Sequence, residues 1–485
     1  MPNRSIRQPL SLGAALAAAA AALLPLLAAC SHHDRMKPVM ADFSRGDYAG
    51  ATREMAPLLA DRRDSEKDRT LYELEAGTVF AAAGDIERSM QAFATADDRM
   101  WEYLDQEPDV RVSEQALAIL TNQTIVTYRG TTYDRIMCCA YQALNHLSRG
   151  ERGKAMVSLR RALEWQNDAL AKNAKEVEEL ERRADAAGDS KGYDAQRALK
   201  DPRTKGELES AYGPLRELQG YGEFEVPYAT YLRALVLQAS GGRSELEQAT
   251  VAYRRVAGML PEADRGYALE QAGRCELATA GAPATGEVHV LVESGTGPWL
   301  REFKISIPLF LRTVPYVGAA FPVLMRGEPG PAGFALRADG HAHPSSVLTD
   351  MNRVVGDEFN RRLPGIIAVT LVSSATKAIA TYAIQDSLDR RSRDSAILAA
   401  VIGGVYQAAT NSADLRIWTT LPKQVDYARC TAPADGSVEV VLGDGQRIGP
   451  IAVESQALTL VHVRVPRAGA APAVRTMRLS DSSRP

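Results

Sequence analysis

Three copies of one helical pattern, each built around a turn glycine, constrain the fold of this 485-residue chain more than any other feature. Small and large apolar residues follow the three turns at matching spacings: Gly46-Asp47-Tyr48 is followed by Ala51, Met55 and Leu58, Gly84-Asp85-Ile86 by Ser89, Phe93 and Ala96, and Gly150-Glu151-Arg152 by Ala155, Leu159 and Ala162. Gly77 and Ala143 precede the second and third turns, where small residues let two helices approach closely. The pattern predicts stacked helix pairs, with insertions between them, over residues 40–275.

This spacing resembles the tetratricopeptide repeat, in which a pair of antiparallel helices recurs about every 34 residues. The resemblance implies an α-solenoid whose concave groove is lined by the first helix of each pair. Seven residues hold groove positions in the repeat and are predicted to contact a partner: Leu74, Glu75, Thr78, Ala82, Tyr141, Leu144 and Ser148. The alternative interpretation is that they pack on neighbouring helices.

Residues 1–29 have the layout of a secretory signal peptide. Arg4 and Arg7 make a cationic start, and Leu10 to Ala29 is apolar apart from one serine. A membrane-spanning anchor is the alternative, because about 20 apolar residues suffice to cross a bilayer. Pro25 interrupts a helix near the end of the segment and favours the signal peptide.

The apolar segment ends in Leu27-Ala28-Ala29-Cys30, which resembles the lipobox of bacterial lipoproteins. The resemblance implies that Cys30 is the first residue of the mature chain and carries diacylglycerol and fatty acid such as palmitate. Several acyl chains hold a protein on a membrane far better than one. Ser31 implies the outer membrane, because an aspartate there would favour the inner membrane in this family. Residues 30–39 are then predicted to be a lipidated tether.

A change of hydrophobic period marks a second unit. Residues 276–286 are predicted to be a linker of small residues, and apolar residues then recur at every second position, as they do in strands. Such alternation predicts a half-buried strand with one apolar face and one polar face. The apolar members are Val288, Val290 and Val292, and the polar members are Glu287, His289 and Glu293.

Two apolar helices are predicted inside this second unit, at 365–384 and 396–410. A hairpin that enters the membrane is the alternative, but Lys377 lies in the middle of the first helix and the second is too short to cross a bilayer. The predicted fold is α+β: a tetratricopeptide-like α-solenoid, then a mixed β-sheet domain over 287–466 with the helical hairpin inserted, then a flexible tail over 467–485.

The sequence contains no motif for catalysis or for a cofactor. His341 and His343, with Asp339 or Asp350, offer metal-binding side chains, but they lie in a stretch that is typical of a flexible loop. Ser345 lacks the sharp turn that a hydrolase nucleophile needs. We therefore predict no metal, no cofactor and no enzymatic activity. The formal net charge of -3 gives no basic surface for nucleic acid.

Four cysteines remain after Cys30, at Cys138, Cys139, Cys275 and Cys430. We predict buried free thiols, because cysteine packs as a small apolar residue. A Cys275–Cys430 disulfide is the alternative, which an oxidising periplasm permits.

Asp414, Arg416 and Trp418 form the most distinctive polar and aromatic set. As a strand, this segment would place all three on one face, where they could bind a partner. The alternative, which we favour, is a buried Asp–Arg pair beneath an anchoring tryptophan.

Several longer segments resemble a family of bacterial lipoproteins with tetratricopeptide-like helices and no assigned activity: 128–130, 133–137, 141–145 and 414–422. Members are often encoded near lipoproteins related to penicillin-binding-protein activators and to the curli secretion lipoprotein. The resemblance implies an outer-membrane lipoprotein facing the periplasm, a protein-interaction scaffold in cell-envelope biogenesis that regulates peptidoglycan synthesis or assists export. Its expected partners are the membrane, through the lipid, and periplasmic or outer-membrane proteins. The rival functions are a cell-wall-acting enzyme and a membrane-inserting component that uses residues 365–410.

Overall fold

The computed structural model describes residues 32–61, 66–105, 126–189, 193–283, 285–310, 316–389 and 412–480. Within these ranges the fold is α+β, with twelve α-helices and eleven strands. Most helices precede the strands in the chain, as the change of hydrophobic period predicts.

Eleven helices come before the first strand, and one long helix lies between strands. The first eleven pack in chain order, except that α6 contacts α9 past the short α7 and α8, and the twelfth packs on α6. Gly46, Gly84 and Gly150 occupy the turns between paired helices with φ of 79°, 81° and 73°, which only glycine adopts readily. The helices are α1 (His32–Arg45), α2 (Tyr48–Ala60), α3 (Arg69–Ala82), α4 (Ile86–Asp105), α5 (Thr132–Ser148), α6 (Arg152–Asp189), α7 (Ala195–Lys200), α8 (Pro202–Tyr212), α9 (Pro227–Ser240), α10 (Arg243–Met259), α11 (Gly266–Thr279) and α12 (Met351–Asp389).

Gly77 of α3 lies against the Phe93 ring of α4, so Gly77→Ala is expected to destabilise the protein. An added Cβ would lie 2.6 Å from two ring atoms of Phe93, whose ring stacks on Tyr141 at 5.5 Å and cannot easily move. Such overpacking costs about 1–3 kcal/mol. Gly273→Ala in α11 is the matched control, because its Cβ meets nothing within 4 Å, and it should add about 0.5–1 kcal/mol. Urea unfolding measures both, and a stabilised Gly77→Ala protein would contradict the close approach.

The strands form three sheets. A five-stranded sheet has the order β11-β10-β1-β7-β6, in which only β1 and β10 are parallel among the pairs described. A four-stranded antiparallel sheet has the order β5-β4-β8-β9, and β2 pairs with β3 in a two-stranded ribbon. The strands are β1 (Glu287–Ser294), β2 (Trp299–Pro308), β3 (Tyr316–Met325), β4 (Phe334–Ala338), β5 (His341–Pro344), β6 (Ser346–Asp350), β7 (Gln424–Thr431), β8 (Ser437–Leu442), β9 (Arg447–Ala452), β10 (Leu458–Val465) and β11 (Ala473–Arg478).

The five-stranded sheet lies between the helices and the four-stranded sheet. Val288, Val290 and Val292 pack in one apolar cluster with Leu336 and Val440 of the smaller sheet. On the opposite face, Leu291 and Leu460 join the core of the helices. All eight residues of β1 are therefore buried. The prediction of a half-buried strand is wrong, because the helices cover the face that the alternation assigned to solvent.

The structure changes several predicted boundaries. Helix α1 begins at His32, so the prediction of a tether over 30–39 is wrong from that residue on. Helix α11 continues to Thr279 into the predicted linker over 276–286, whereas β1 begins at Glu287, where the mixed domain was predicted to start. The prediction of a flexible tail over 467–485 is wrong for β11, which pairs with β10.

The predicted apolar hairpin is only partly described. The helix predicted at 365–384 belongs to the longer α12, and the helix predicted at 396–410 lies outside the described residues. Lys377 is 4% exposed, and burial lowers the pKa of its ammonium group to about 8. Of the helices in the described ranges, none has the length and apolarity to cross a bilayer.

Candidate functional site

The polar side chains of the central sheet converge under the helices. Strand register pairs Glu293 of β1 with Arg464 of β10, and His462 of β10 with Arg475 of β11. Because hydrogen-bonded neighbours share a face of the sheet, these four side chains point the same way, toward α5 and α9. We call Glu293, His462, Arg464 and Arg475, with Tyr141 and Tyr228 from the helices, the Glu293 cluster.

Glu293 is the centre of this cluster. Tyr141 donates its hydroxyl to Oε2 at 3.0 Å, and Tyr228 donates its hydroxyl to Oε1 at 2.8 Å. Nε2 of His462 lies 3.1 Å from Oε1, and Nε of Arg464 lies 3.7 Å from Oε2. One buried carboxylate therefore holds two helices and two strands together.

A hydrogen-bond chain links the cluster to α4. Arg475 donates to Nδ1 of His462 at 3.2 Å and to Oδ1 of Asn145 at 3.0 Å. Asn145 donates to the hydroxyl of Ser89 at 2.8 Å. Because Nδ1 of His462 accepts the hydrogen bond from Arg475, the proton of the neutral imidazole lies on Nε2, the atom that faces Glu293. The sheet thus reaches the predicted repeat helices through polar contacts as well as apolar ones.

Electrostatics fix the protonation of the cluster. Burial raises the pKa of Glu293, but His462, Arg464 and the Tyr228 hydroxyl outweigh it and bring the pKa to about 2. Burial lowers the pKa of His462. The carboxylate is therefore charged and the imidazole neutral near pH 7. One negative and two positive side chains leave an excess of positive charge.

A shallow cleft reaches this cluster between α3 and β11. Its empty volume is about 250 Å³, including space open to solvent, and its lining combines Thr78, Ala81 and Ala82 with Ala473 and the cluster. Both oxygens of Glu293 already accept hydrogen bonds. The geometry supports a structural role for this carboxylate, because a tyrosine hydroxyl holds each of its two oxygens.

A second buried polar cluster lies at the other end of β1. Gln271 and Gln238 donate to Oε2 of Glu287 at 2.7 and 3.0 Å, and Arg274 contacts Oε1. The Tyr231 hydroxyl lies 2.9 Å from Nδ1 of His289. Burial raises the pKa of Glu287, but His289 and the nearby arginines hold it well below its usual range. This cluster joins α9 and α11 to the sheet.

The segment with Asp414, Arg416 and Trp418 is irregular rather than a strand. The Arg416 guanidinium contacts Asp414 at 2.6 Å and Asp68 at 3.0 Å, with only 7% of its side chain exposed. Trp418 is fully buried, with its ring 5.9 Å from that of Phe93. The structure thus matches the alternative of a buried ion pair and an anchoring tryptophan. The prediction of a partner-binding surface here is wrong in this conformation, because the chain's own helices cover it.

The residues predicted to line the groove are also covered by this chain. Leu74, Glu75, Thr78, Tyr141 and Leu144 are buried, and Ala82 and Ser148 are half-buried. Glu75 accepts hydrogen bonds from the backbone N–H groups of Thr419 and Thr420 at 2.7 and 2.9 Å. The prediction that these residues meet a partner in an open groove is therefore wrong for the buried five, because the C-terminal unit fills the space.

The remaining chemical candidates are scattered or already engaged. His341 and His343 lie on β5, and the Ser345 hydroxyl accepts the N–H of Phe334 at 2.8 Å. Among the described residues, no three histidines, cysteines or carboxylates are placed to hold a metal. The four described cysteines are free thiols, as predicted, so Cys275 and Cys430 are not bonded. Cys30 lies outside the described residues.

Sequence reasoning missed the Glu293 cluster. Glu293, His462 and Arg464 occupy polar positions of alternating strands, which ordinarily face solvent. Arg475 lies in the predicted tail. The signal that could have found them is the length of the helical array. Helices with apolar faces must pack against another element, and the sheet that follows them in the chain is the candidate for that element.

Comparison with protein-family models, with curated proteins and with solved structures gives no match to this chain.

Proposed function

We propose that the chain is an outer-membrane lipoprotein that faces the periplasm and acts as a protein-interaction scaffold in cell-envelope biogenesis. The single observation that carries the proposal is the lipobox-like Leu27-Ala28-Ala29-Cys30 after a cationic and apolar leader. Acyl chains on Cys30 would hold the chain at the membrane and raise its effective concentration there. A role in peptidoglycan synthesis or in export follows from the family resemblance.

The scaffold would be a tetratricopeptide-like solenoid closed by its own sheet. Support comes from helices that pack in chain order and from glycine turns with positive φ. Because the inner surface is filled, a protein partner would contact the outer surface. Large apolar side chains are exposed on three helices there, at Val157, Val251, Leu269 and Leu277, which are 49% to 66% exposed.

Cys30→Ala is the variant that tests the proposal. We expect the native chain in the outer-membrane fraction and the Cys30→Ala chain outside that fraction, because diacylglycerol cannot be attached without this thiol. Cys275→Ala is the control, since this buried thiol has no part in anchoring, and it should fractionate like the native chain. Equal distribution of all three chains would contradict the lipoprotein assignment.

The scaffold role is tested separately, by placing a photo-crosslinking residue at Leu277, which is 63% exposed. A reproducible crosslinked product with an envelope protein in cells, lost in the Cys30→Ala background, is the expected result. Crosslinks to this chain alone would contradict a scaffold that uses this surface.

A further inference from the structure

Helix α1 is fixed in the folded body from its first residue. His32 is 3% exposed, and its ring centroid lies 5.1 Å from that of Tyr72 in α3. Its Nε2 lies 3.9 Å from Oε1 of Glu75. The chain is therefore packed into the folded structure from His32 onward.

The rest of α1 is equally well held. Met36, Val39 and Phe43 are at most 1% exposed and share one apolar cluster with Tyr72 and Val79 of α3. Because one complete face of the helix is buried, α1 is part of the folded core. It therefore cannot serve as a flexible linker between a lipid on Cys30 and the rest of the protein.

Covalent geometry then places the lipid close to the body. Only Ser31 separates Cys30 from His32. Consecutive Cα atoms are about 3.8 Å apart, so the Cα of Cys30 lies within about 7.6 Å of the Cα of His32. Acyl chains on Cys30 would enter the hydrocarbon of the bilayer, which brings the start of α1 to the headgroup layer.

We propose that the folded body rests directly on the lipid bilayer through one surface, which we call the α1–β2 face and which consists of His33, Asp34, Lys37 and Trp299. This proposal rests on the proposed lipidation of Cys30 and adds an orientation to it. The partner is the phospholipid surface itself.

The chemistry of the α1–β2 face fits a headgroup layer. The imidazole of His33 stacks on the indole of Trp299, with ring centroids 5.8 Å apart and planes at 22°. Tryptophan is enriched where protein meets the membrane–water interface. Lys37 pairs with Asp34 at 2.6 Å, and burial lowers the pKa of His33, so the face has little net charge near pH 7. Contact should therefore be insensitive to the anionic lipid content of the membrane.

The test uses the lipidated protein with a fluorophore at one of two exposed positions, Lys37→Cys on the α1–β2 face or Ala83→Cys beyond the far end of α3. Ala83 lies eleven residues after Tyr72, or about 16 Å along the helix. The four described cysteines are at most 3% exposed and should not react with the label. In phosphatidylcholine vesicles with headgroup-quencher lipids, we expect several-fold stronger quenching at position 37 than at position 83.

A flexible Gly-Ser insertion between Ser31 and His32 is the control. About twenty such residues span about 25 Å, so the difference between the two positions should largely disappear. Equal quenching of both positions in the native lipidated protein would overturn the proposal, and a difference that survives the insertion would overturn the short connection as its cause. Failure of lipidation itself would show as an unmodified Cys30 mass and as absence from the vesicles, which separates a failed anchor from a wrong orientation.

Discussion

Replacing Trp418 by alanine is expected to lower the free energy of unfolding by about 3 to 5 kcal/mol. The indole is fully buried against the stacked rings of Phe93 and Tyr141, and it donates to the Thr420 hydroxyl at 2.9 Å. Removing it leaves a cavity where α4, α5 and the 412–423 segment meet. Urea unfolding followed by circular dichroism measures the loss.

Two further variants serve as controls for this prediction. Trp418→Phe retains a ring and should lose clearly less than Trp418→Ala. Trp101→Ala removes an indole that is 38% exposed, and its loss should also be smaller. If Trp101→Ala and Trp418→Ala cost the same, Trp418 is not the anchor of the C-terminal segment.

The Glu293→Ala protein is expected to lose a similar amount, about 3 to 5 kcal/mol. The substitution leaves the buried Arg464 without its carboxylate, removes a negative charge that favours the charged form of Arg475, and takes the acceptor from two tyrosine hydroxyls. Glu439→Ala is the matched control, because Glu439 makes a surface pair with Arg447 and should change stability little. Equal unfolding midpoints for the two variants would contradict a central role of Glu293.

The pKa of the Glu293 carboxyl group predicts how the free energy of unfolding depends on pH. Its pKa falls from the usual 4.5 in the unfolded chain to about 2 in the fold. A depressed pKa stabilises the charged form, so the contribution, of order 3 kcal/mol, is present above about pH 4.5 and is lost as the pH falls toward about 2. The Glu293→Ala protein should lack this part of the acid dependence. An unchanged acid profile between pH 5 and pH 2 would contradict the charged state of Glu293.

Local patterns predicted much of the secondary structure. Strand β10 spans 458–465 as predicted, β1 begins at Glu287, and glycine turns join helices at Gly46, Gly84 and Gly150 as predicted. These features depend on neighbouring residues along the chain, whose periodicity and turn chemistry are visible in sequence. The prediction of buried free thiols is also confirmed, because cysteine tends to pack as a small apolar residue.

The site was not predictable in the same way, because it depends on contacts distant in sequence. Glu293 accepts hydrogen bonds from Tyr141 and Tyr228, which lie 152 and 65 residues earlier in the chain. Alternation identified the polar face of β1 but could not show that helices cover it. Arg475 lies in the segment that the sequence predicts to be a tail, and only pairing with β10 makes that segment a strand.

The prediction of an open groove was wrong for the same physical reason, which is that contacts between residues distant in sequence bury these positions. Positions such as Leu74 and Tyr141 are predicted to line a groove, but nothing local in the sequence shows that other parts of this chain bury them. The start of α1 at His32, two residues after Cys30, was not predicted either. Both outcomes move the expected partner contacts to the outer surface and to the membrane.

Intact-mass and peptide mass spectrometry of the protein from its native membrane would decide whether it is a lipoprotein. We expect a mature N-terminus at Cys30 with a mass increase equal to diacylglycerol plus fatty acid, and no peptide from residues 1–29. A chain that retains Met1 and an unmodified Cys30 would contradict the lipid anchor, and with it both the proposed function and the proposed orientation on the bilayer.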